Sequence, residues 1–204
     1  MSERPFDRMV AGKAYKPDAE CMAITAKAYE LTSRYAELYR AGDPARHQVL
    51  TELFGSIGKN VEFRPSIHVD YGVNITVGDD CFFNFNTVLL DVAPISFGNA
   101  VLVGPNVQFL TPTHPLNPKD RRDLWEGGLP ITVEDNVWIG GGAIILPGVR
   151  IGENSVIGGG AVVTRDIPAN SVAVGNPAKV IKTLDANERP SSGQFSGADI
   201  GLGI

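Results

Sequence analysis

Histidine is the side chain best suited to move a proton near neutral pH, and this sequence has three of them. His47 falls in a stretch expected to be helical, where a solvated histidine is the usual outcome. His68 lies close to Asp70, and its position fits packing and substrate contact equally well. His114 occurs in the run Thr-Pro-Thr-His-Pro at the start of a proline-rich segment. Taken alone, a loop histidine is more often a bystander than a general base, so these residues by themselves leave the base unassigned.

Other motifs that would carry chemistry are missing from the sequence. The two cysteines, Cys21 and Cys81, are too far apart for a metal-binding pair, so reduced, buried thiols are expected in place of a disulfide or a zinc site. The chain contains neither GxGxxG nor GxxxxGK[ST], which argues against a nucleotide-fold dehydrogenase or an ATPase.

The composition predicts one ordinary globular domain with modest appendages. The chain has 204 residues, of which 43% are hydrophobic and 20% charged. Its net charge is −5 and its Lys and Arg residues are scattered, so no nucleic-acid or membrane partner is predicted. Because the sequence lacks a long apolar run and the apolar core of a signal peptide, a cytoplasmic location is expected.

A repeat of six residues organises the second half of the chain, which can be written from Val133 as VEDNVW, IGGGAI, ILPGVR, IGENSV, IGGGAV and VTRDIP. The first position of each hexad is a β-branched aliphatic: Val133, Ile139, Ile145, Ile151, Ile157 and Val163. The fifth position is mostly small or β-branched: Val137, Ala143, Val149, Ser155, Ala161 and Ile167. We expect both columns to face inward.

The same phase runs through an earlier block, with one slip of two residues: Val77, Phe83 and Leu89, then Phe97, Val103 and Phe109. Helices would place apolar residues at spacings of three and four, and simple strands would alternate every two, so neither explains a strict six. Short strands joined by turns do, and Gly, Asn and Asp are concentrated between the aliphatic columns. The pattern therefore predicts a parallel β-solenoid.

The segments outside the hexads predict helices and a loop. Residues 4–10 and 18–41 are rich in helix formers, and Gly42 ends the second helix. Asp43 is expected to cap a third helix that has Pro44 in its first turn. Residues 111–130 interrupt the hexads and should project as a loop. Three parts are expected: a helical extension (1–58), the solenoid with its loop (59–183) and a flexible Gly/Ser-rich tail (184–204).

Four runs and one loop of the sequence place the chain near a known family. The runs NVWIGGGAIILPGVRIGENSVIGGGAVVTRDIP and VAVGNPAKVIK resemble the hexapeptide-repeat acyltransferases. The runs MVAGKAYKPD and DYGVNITVGDDCFFNFNTVLLD, with the Thr-His-Pro loop, are similar to the maltose/galactoside O-acetyltransferases, including nodulation-type sugar acetyltransferases, over roughly residues 6–183. The resemblance implies a left-handed parallel β-helix with three hexads per turn, and a homotrimer with sites between subunits.

The resemblance also implies a reaction: acetyl transfer from acetyl-CoA to a hydroxyl of a small sugar, without a metal. It makes His114 the general base and groups Asn84 and Glu126 with it. Glu126 would orient the imidazolium or hold a sugar hydroxyl, and an exposed loop carboxylate is an equal alternative. The acceptor would be bound by four residues: Asp18, Asp70, Asn84 and Asp91. An N-cap explains Asp18 equally well, and the family's Arg-rich pattern after it is replaced here by residues 23–26, Ala-Ile-Thr-Ala.

Cofactor contacts carry over from the same resemblance, which aligns these residues with the family surface for the pantetheine arm and the nucleotide: Trp138, Gly140, Gly141, Gly142, Gly159, Gly160, Thr164, Arg165, Lys179 and Lys182. The Gly141 N–H is the candidate donor to the oxyanion. Glycines also serve simply to turn the coil, and surface lysines often do nothing specific. Trp138 stands outside both inward columns, so a ligand or another subunit should cover it.

The sequence argues against two other functions of the same fold and leaves a third open. A γ-type carbonic anhydrase needs three zinc-binding histidines, and the three here have unsuitable spacing. A scaffold or ice-binding solenoid would show a regular outward ladder of Thr, which does not occur. A xenobiotic or serine O-acetyltransferase remains the alternative, and the Met-Val-Ala-Gly-Lys opening favours the sugar branch.

Overall fold

The computed structural model describes residues 3–185, and most of this stretch forms a three-faced parallel solenoid. The expected tail is described only at residues 184 and 185, so its remainder lies outside these residues. Each turn of the solenoid contributes one short strand to each face. Together the strands make five full turns and the start of a sixth.

The three faces are defined by the strands they contain. Face 1 consists of β1 (Ser56–Ile57), β4 (Ile75–Val77), β7 (Ile95–Phe97), β12 (Ile131–Val133) and β15 (Arg150–Ile151). Face 2 consists of β2 (Glu62–Phe63), β5 (Phe82–Phe83), β8 (Leu102–Val103), β13 (Trp138–Ile139), β16 (Val156–Ile157), β18 (Ser171–Val174) and the antiparallel β19 (Lys179–Thr183). Face 3 consists of β3 (Ile67–Val69), β6 (Thr87–Leu90), β9 (Gln108–Leu110), β14 (Ile144–Ile145) and β17 (Val162–Val163).

The register of the strands confirms three hexads per turn. Ile139 pairs with Ile157, which follows it by 18 residues (157 − 139). Phe83 pairs with Val103 at 20 residues, because the two-residue slip falls within that turn. Val103 pairs with Ile139 at 36 residues, since the projecting loop adds 18 residues without adding a turn.

The two predicted inward columns form the core. Every first-position residue from Val77 to Val163 and every fifth-position residue from Val137 to Ile167 is buried. In the early turns phenylalanines replace the aliphatics, and their rings contact one another through the solenoid. The Phe63 and Phe83 rings stack with centroids 4.0 Å apart, and Phe97 meets Phe83 and Phe109 edge-on at 4.9 Å. The hexad pattern therefore works as predicted, each side chain packing on the turns above and below.

The helical extension packs on the first turns of the solenoid. It contains α1 (Pro5–Val10), α2 (Ala19–Ala41) and α3 (Arg46–Leu53). Asp18 caps α2, its Oδ1 accepting a hydrogen bond from Cys21 N at 3.0 Å. Gly42 ends α2 in the left-handed region with φ of 69°, as predicted. None of the helices within residues 3–185 is long and apolar enough to cross a membrane.

The start of the third helix differs from the prediction. Residues 43–45 form a tight turn, and α3 begins only at Arg46. The Asp43 side chain accepts a hydrogen bond from Ala45 N at 2.8 Å, and Arg46 N donates to Asp43 O at 3.2 Å. Asp43 therefore stabilises the turn that precedes α3 and is not the N-cap of the helix itself.

Candidate functional site

The connections between faces form the edges of the solenoid, and two of these edges carry the predicted site. The "hairpin edge" joins face 3 to face 1 and consists of residues 70–74, 91–94, 111–130, 146–149 and 164–166. The "glycine edge" joins face 2 to face 3 and consists of residues 64–66, 84–86, 104–107, 140–143 and 158–161.

The projecting loop is a short antiparallel hairpin that presents His114. Its strands are β10 (Pro112–Thr113) and β11 (Gly127–Gly128), and α4 (Pro118–Arg122) lies between them. At its base Thr111 is buried, and its hydroxyl donates to Leu90 O at 2.6 Å and accepts from Ala93 N at 2.9 Å. His114 follows β10 directly and is exposed. Within the part of the chain that is described, no side-chain hydrogen bond engages its imidazole, which leaves both ring nitrogens available.

Glu126 is held by the helical extension, which the sequence did not predict. Tyr15 and Glu126 exchange two backbone hydrogen bonds of 3.0 Å, and the Tyr15 hydroxyl donates to Glu126 Oε2 at 2.9 Å. Burial and this hydrogen bond raise the pKa of Tyr15 far above its ordinary value. Glu126 is half-buried, so the alternative of a freely exposed loop carboxylate does not fit its position. Nothing in the local sequence signals a contact between residues so far apart in the chain.

Asp70 lies on the hairpin edge among other acidic groups. It is half-buried, and burial together with the negative charges of Asp91 and Glu126 raises its pKa from 3.8 to about 6. An aspartate with this pKa changes its protonation state just below neutral pH.

Asp91 corrects a prediction. Its side chain is 0% exposed, and its carboxylate accepts backbone hydrogen bonds from Asp70 N at 3.0 Å, Tyr71 N at 2.8 Å and Asn74 N at 3.2 Å. A carboxylate enclosed in this way is out of reach of an acceptor. It shapes the 70–74 connection and thereby fixes the backbone at Asp70.

The other acceptor-side predictions fall in two places. Asp18 is half-buried at the start of α2, where one carboxylate oxygen is used as the N-cap. Asn84 lies on the glycine edge, far along the solenoid surface from the hairpin edge, and its Oδ1 accepts from Phe85 N at 2.8 Å. No side-chain acceptor within residues 3–185 engages its Nδ2, so this amide donor is available. His68 Nε2 lies 2.7 Å from Ser66 Oγ, and His47 is exposed on α3.

At Gly104 and Gly140 the turns of the glycine edge are packed too closely for a side chain. A Cβ on Gly140 would lie 2.5 Å from Gly159 N, and one on Gly104 would lie 2.5 Å from Gly141 N. Gly142 N and Gly160 N donate to carbonyls of the preceding turn at 2.8 and 2.9 Å. No acceptor among the described residues engages Gly141 N–H. The glycines therefore allow the turns to stack, and they leave the Gly141 N–H without an acceptor among the described residues.

The predicted cofactor residues divide between different parts of the surface. Trp138 is 38% exposed on face 2, between Leu102 and Val156 in register. Lys179 and Lys182 are exposed on β19 of the same face. In contrast, Thr164 and Arg165 are exposed on the hairpin edge. Face 3 separates these two groups within one chain.

The residues predicted for catalysis are also divided between two edges of the solenoid. His114 and Glu126 share the hairpin edge, whereas Asn84 and Gly141 share the glycine edge. One chain therefore brings together a potential base and its carboxylate neighbour, and separately a backbone donor and a free amide. Within one chain these two groups therefore lie on different edges of the solenoid.

Comparison with known proteins finds two family models and several acetyltransferases that this chain resembles. The family model described as "Bacterial transferase hexapeptide (six repeats)" matches residues 130–165, and "Maltose acetyltransferase hexapeptide capping motif" matches residues 8–58. A galactoside O-acetyltransferase of Escherichia coli (strain K12) is 39% identical over 144 residues, which cover 71% of each chain.

Two solved structures extend the likeness. A maltose O-acetyltransferase from Clostridium difficile 630 is 41% identical with a TM-score of 0.88, covering 91% of this chain and 100% of its own. A hexapeptide-repeat acetyltransferase from Vibrio cholerae O1 biovar eltor, complexed with acetyl coenzyme A, is 35% identical with a TM-score of 0.82, covering 90% and 100%. The predicted left-handed parallel β-helix with a helical extension and a projecting loop is confirmed.

The raised pKa of Asp70 makes a prediction about stability. Its native pKa of about 6 exceeds the ordinary 3.8, so its contribution to stability is fully present below pH 4 and is lost as the pH rises through 6. Asp70→Asn should therefore raise the free energy of unfolding by about 1 to 3 kcal/mol at pH 8 and by much less at pH 4.5. Urea unfolding at both pH values measures this difference. Asp120→Asn, on the exposed face of the loop, is the control and should show no such pH dependence. An equal effect of Asp70→Asn at both pH values would contradict the assigned titration.

Proposed function

We propose that this protein acetylates a hydroxyl of a small sugar with His114 as the general base. The chain belongs to the maltose/galactoside O-acetyltransferase family of the hexapeptide-repeat acyltransferases. It is an acetyl-CoA-dependent O-acetyltransferase with a small-molecule acceptor. The observation that carries this proposal is the presentation of His114 on a hairpin anchored at both ends, with its imidazole free. Acetyl-CoA supplies the acetyl thioester.

The proposed reaction is a direct transfer. A ring nitrogen of His114 accepts the proton of the acceptor hydroxyl as that oxygen attacks the thioester carbonyl carbon. The Gly141 N–H donates to the oxyanion that develops on the carbonyl oxygen. When the carbon–sulfur bond breaks, the departing thiolate takes the proton from the imidazolium, which restores His114. Both cysteines are buried, so neither is offered to the substrate as a covalent nucleophile.

Glu126 has a supporting role in this scheme. Its Oε2 is occupied by the Tyr15 hydroxyl, and Oε1 is engaged by no hydrogen bond from another described side chain. Oε1 is therefore available to orient the imidazolium or to hold a sugar hydroxyl, as the resemblance implies. The half-buried position makes this carboxylate a stronger partner than a fully solvated one, since water screens it less.

Sites shared between subunits follow from the division of residues between the two edges. We place the glycine edge of one subunit against the hairpin edge of the next, so that Asn84 and Gly141 of one chain meet His114 of its neighbour. Exposed apolar side chains lie on the loop, at Leu116, 96% exposed, and Leu124. Others lie on face 2 in the strands that lead into the glycine edge, at Leu102 and Trp138. The family resemblance implies three subunits, and a head-to-tail contact can close into a ring of that size, so a homotrimer with three sites is the proposed assembly.

The acceptor is assigned from the polar groups that remain available. Asp18 and Asp70 offer carboxylate oxygens, and Asn84 offers a free amide donor. Several such groups suit the hydroxyls of a pyranose ring better than an aromatic antibiotic, which would need a more apolar pocket. The related proteins from Escherichia coli and Clostridium difficile are a galactoside and a maltose O-acetyltransferase, which supports the same class of acceptor.

Loss of the general base should remove turnover and leave cofactor binding intact. We expect His114→Ala to lower kcat by on the order of 10² to 10⁴, because proton removal from the hydroxyl is no longer assisted. Calorimetric titration should show an almost unchanged affinity for CoA. His47→Ala, an exposed histidine on α3, serves as the control and should keep its activity. Near-normal turnover of His114→Ala would refute the assignment.

Complementation between two inactive variants tests the shared site directly. His114→Ala removes the proposed base from the hairpin edge, and Asn84→Arg blocks the glycine edge with a bulky cation. In mixed trimers one contact joins two intact edges, so random co-assembly at equal amounts should restore on the order of a quarter of the wild-type activity. Light scattering should give three times the monomer mass. If mixing restores no activity while mixed trimers form, each site lies within one chain.

The acceptor is tested by a screen of acetyl-CoA consumption with sugars, glucosamine derivatives, serine and antibiotics. For a sugar that reacts, Asn84→Ala and Asp18→Ala should raise the KM for the sugar several-fold, the scale of a lost hydrogen bond of about 0.5 to 1.5 kcal/mol, and change the KM for acetyl-CoA less. Acetylation of serine or an antibiotic and of no sugar would overturn the proposed acceptor.

A further inference from the structure

We propose that Tyr15 is a positioning residue for the reaction, because its side chain and backbone clamp the hairpin that carries His114 onto the helical extension. The inference rests on the proposed role of His114. It assigns a function to a side chain that the sequence motifs did not single out, and it gives the N-terminal extension a task in catalysis beyond covering the end of the solenoid.

Three contacts make the clamp. Tyr15 N donates to Glu126 O and Glu126 N donates to Tyr15 O, both at 3.0 Å, as in a pair of antiparallel strands. The Tyr15 hydroxyl donates to Glu126 Oε2 at 2.9 Å. Beside this pair, Lys16 Nζ lies 5.0 Å from the centre of the Trp125 ring. Consecutive residues of the extension thus hold consecutive residues of the hairpin.

The extension side of the clamp is rigid. Tyr15 is 1% exposed and belongs to a buried cluster with Met9, Cys21, Tyr71 and Val92. The Arg8 guanidinium donates to Ala14 O at 2.7 and 3.0 Å, which fixes the residue just before Tyr15. A tyrosine ring enclosed in this way has little rotamer freedom, so its hydroxyl is a fixed point to which Glu126 can be tied.

The hairpin needs a fixed point of attachment, because its own strands are short. Each of its strands, β10 and β11, has two residues, and such a short isolated pair is not stable in water by itself. Glu126 directly precedes β11, whose Gly127 pairs with Thr113, the residue before His114. A continuous path therefore runs from Tyr15 to His114, through the backbone pair with Glu126, its neighbour Gly127, and the strand pair with Thr113. Movement of Glu126 is passed to His114 through a single strand pair.

The hydroxyl of Tyr15 is the part of the clamp that can be removed alone. Tyr15→Phe deletes one hydrogen bond to a carboxylate and retains the buried ring. Tyr35→Phe is a matched control, since Tyr35 is equally buried and its hydroxyl donates to Phe63 O at 2.6 Å, away from the hairpin. Hydrogen exchange followed by mass spectrometry should show amides of residues 111–130 exchanging about 10-fold faster in Tyr15→Phe and unchanged in Tyr35→Phe.

Variants at Glu126 test whether the two side chains act together. Glu126→Gln keeps an oxygen that accepts a hydrogen bond from the Tyr15 hydroxyl, so hairpin exchange should stay near the wild-type rate. Glu126→Ala should accelerate exchange as Tyr15→Phe does, and the double variant should add nothing beyond the larger single effect. Additive effects would show that Tyr15 and Glu126 order the hairpin independently, which would overturn the clamp.

Kinetics connect the clamp to catalysis. Tyr15→Phe should lower kcat about 10-fold and leave the KM for acetyl-CoA within about two-fold, because the base is displaced and the glycine edge is untouched. Tyr35→Phe should match the wild type. Unchanged hairpin exchange in Tyr15→Phe, or an unchanged kcat despite faster exchange, overturns the inference. Normal turnover of His114→Ala overturns instead the proposed base, and the exchange measurement is independent of that result.

Discussion

The stacking of one short strand directly on another, turn after turn, is the constraint on which the rest of this protein depends. Each strand pairs in register with the strand one turn away, so every inward side chain must fit against its counterparts above and below. The aliphatic columns and the Phe63–Phe83 stack meet that requirement. At the edges the same requirement selects residues that tolerate left-handed backbone, such as Asn136 and Asn154, whose amides hydrogen bond to the next turn at 2.9 Å.

A regular prism of this kind provides rigidity but few places for chemistry, since its faces are short strands and its edges are tight turns. The potential for function lies where the regularity changes. One such place is the hairpin edge, where residues 111–130 leave the coil and return without disturbing the register. The other is the glycine edge, where turns approach so closely that a side chain is excluded and Gly141 N–H remains available. Separate edges for the two groups of residues explain why assembly and catalysis are linked in the proposed function.

Buried polar groups connect the helical extension to this scaffold. Asp91 uses its enclosed carboxylate to organise the backbone of residues 70–74, which in turn presents Asp70 beside the hairpin. Tyr15, in the helical extension, donates a hydrogen bond from its hydroxyl to Glu126. Asp70, Asp91 and Glu126 bring several negative charges into a partly buried region, which raises the pKa of Asp70. The helical extension and the projecting loop therefore contribute to this region together with the coil.

The sequence by itself determined the coil, because the six-residue period is a local pattern that records which side chains face inward. It also located the ends of α2, since Asp18 and Gly42 act on backbone within a few residues of themselves. It did not separate Asp91 from Asp70, because both are carboxylates beside a turn and only the surrounding packing buries one of them. Nor did it pair Tyr15 with Glu126, or place Asn84 on a different edge from His114. Those arrangements join residues distant in the chain, so only the tertiary structure, which decides what each side chain faces, could establish them.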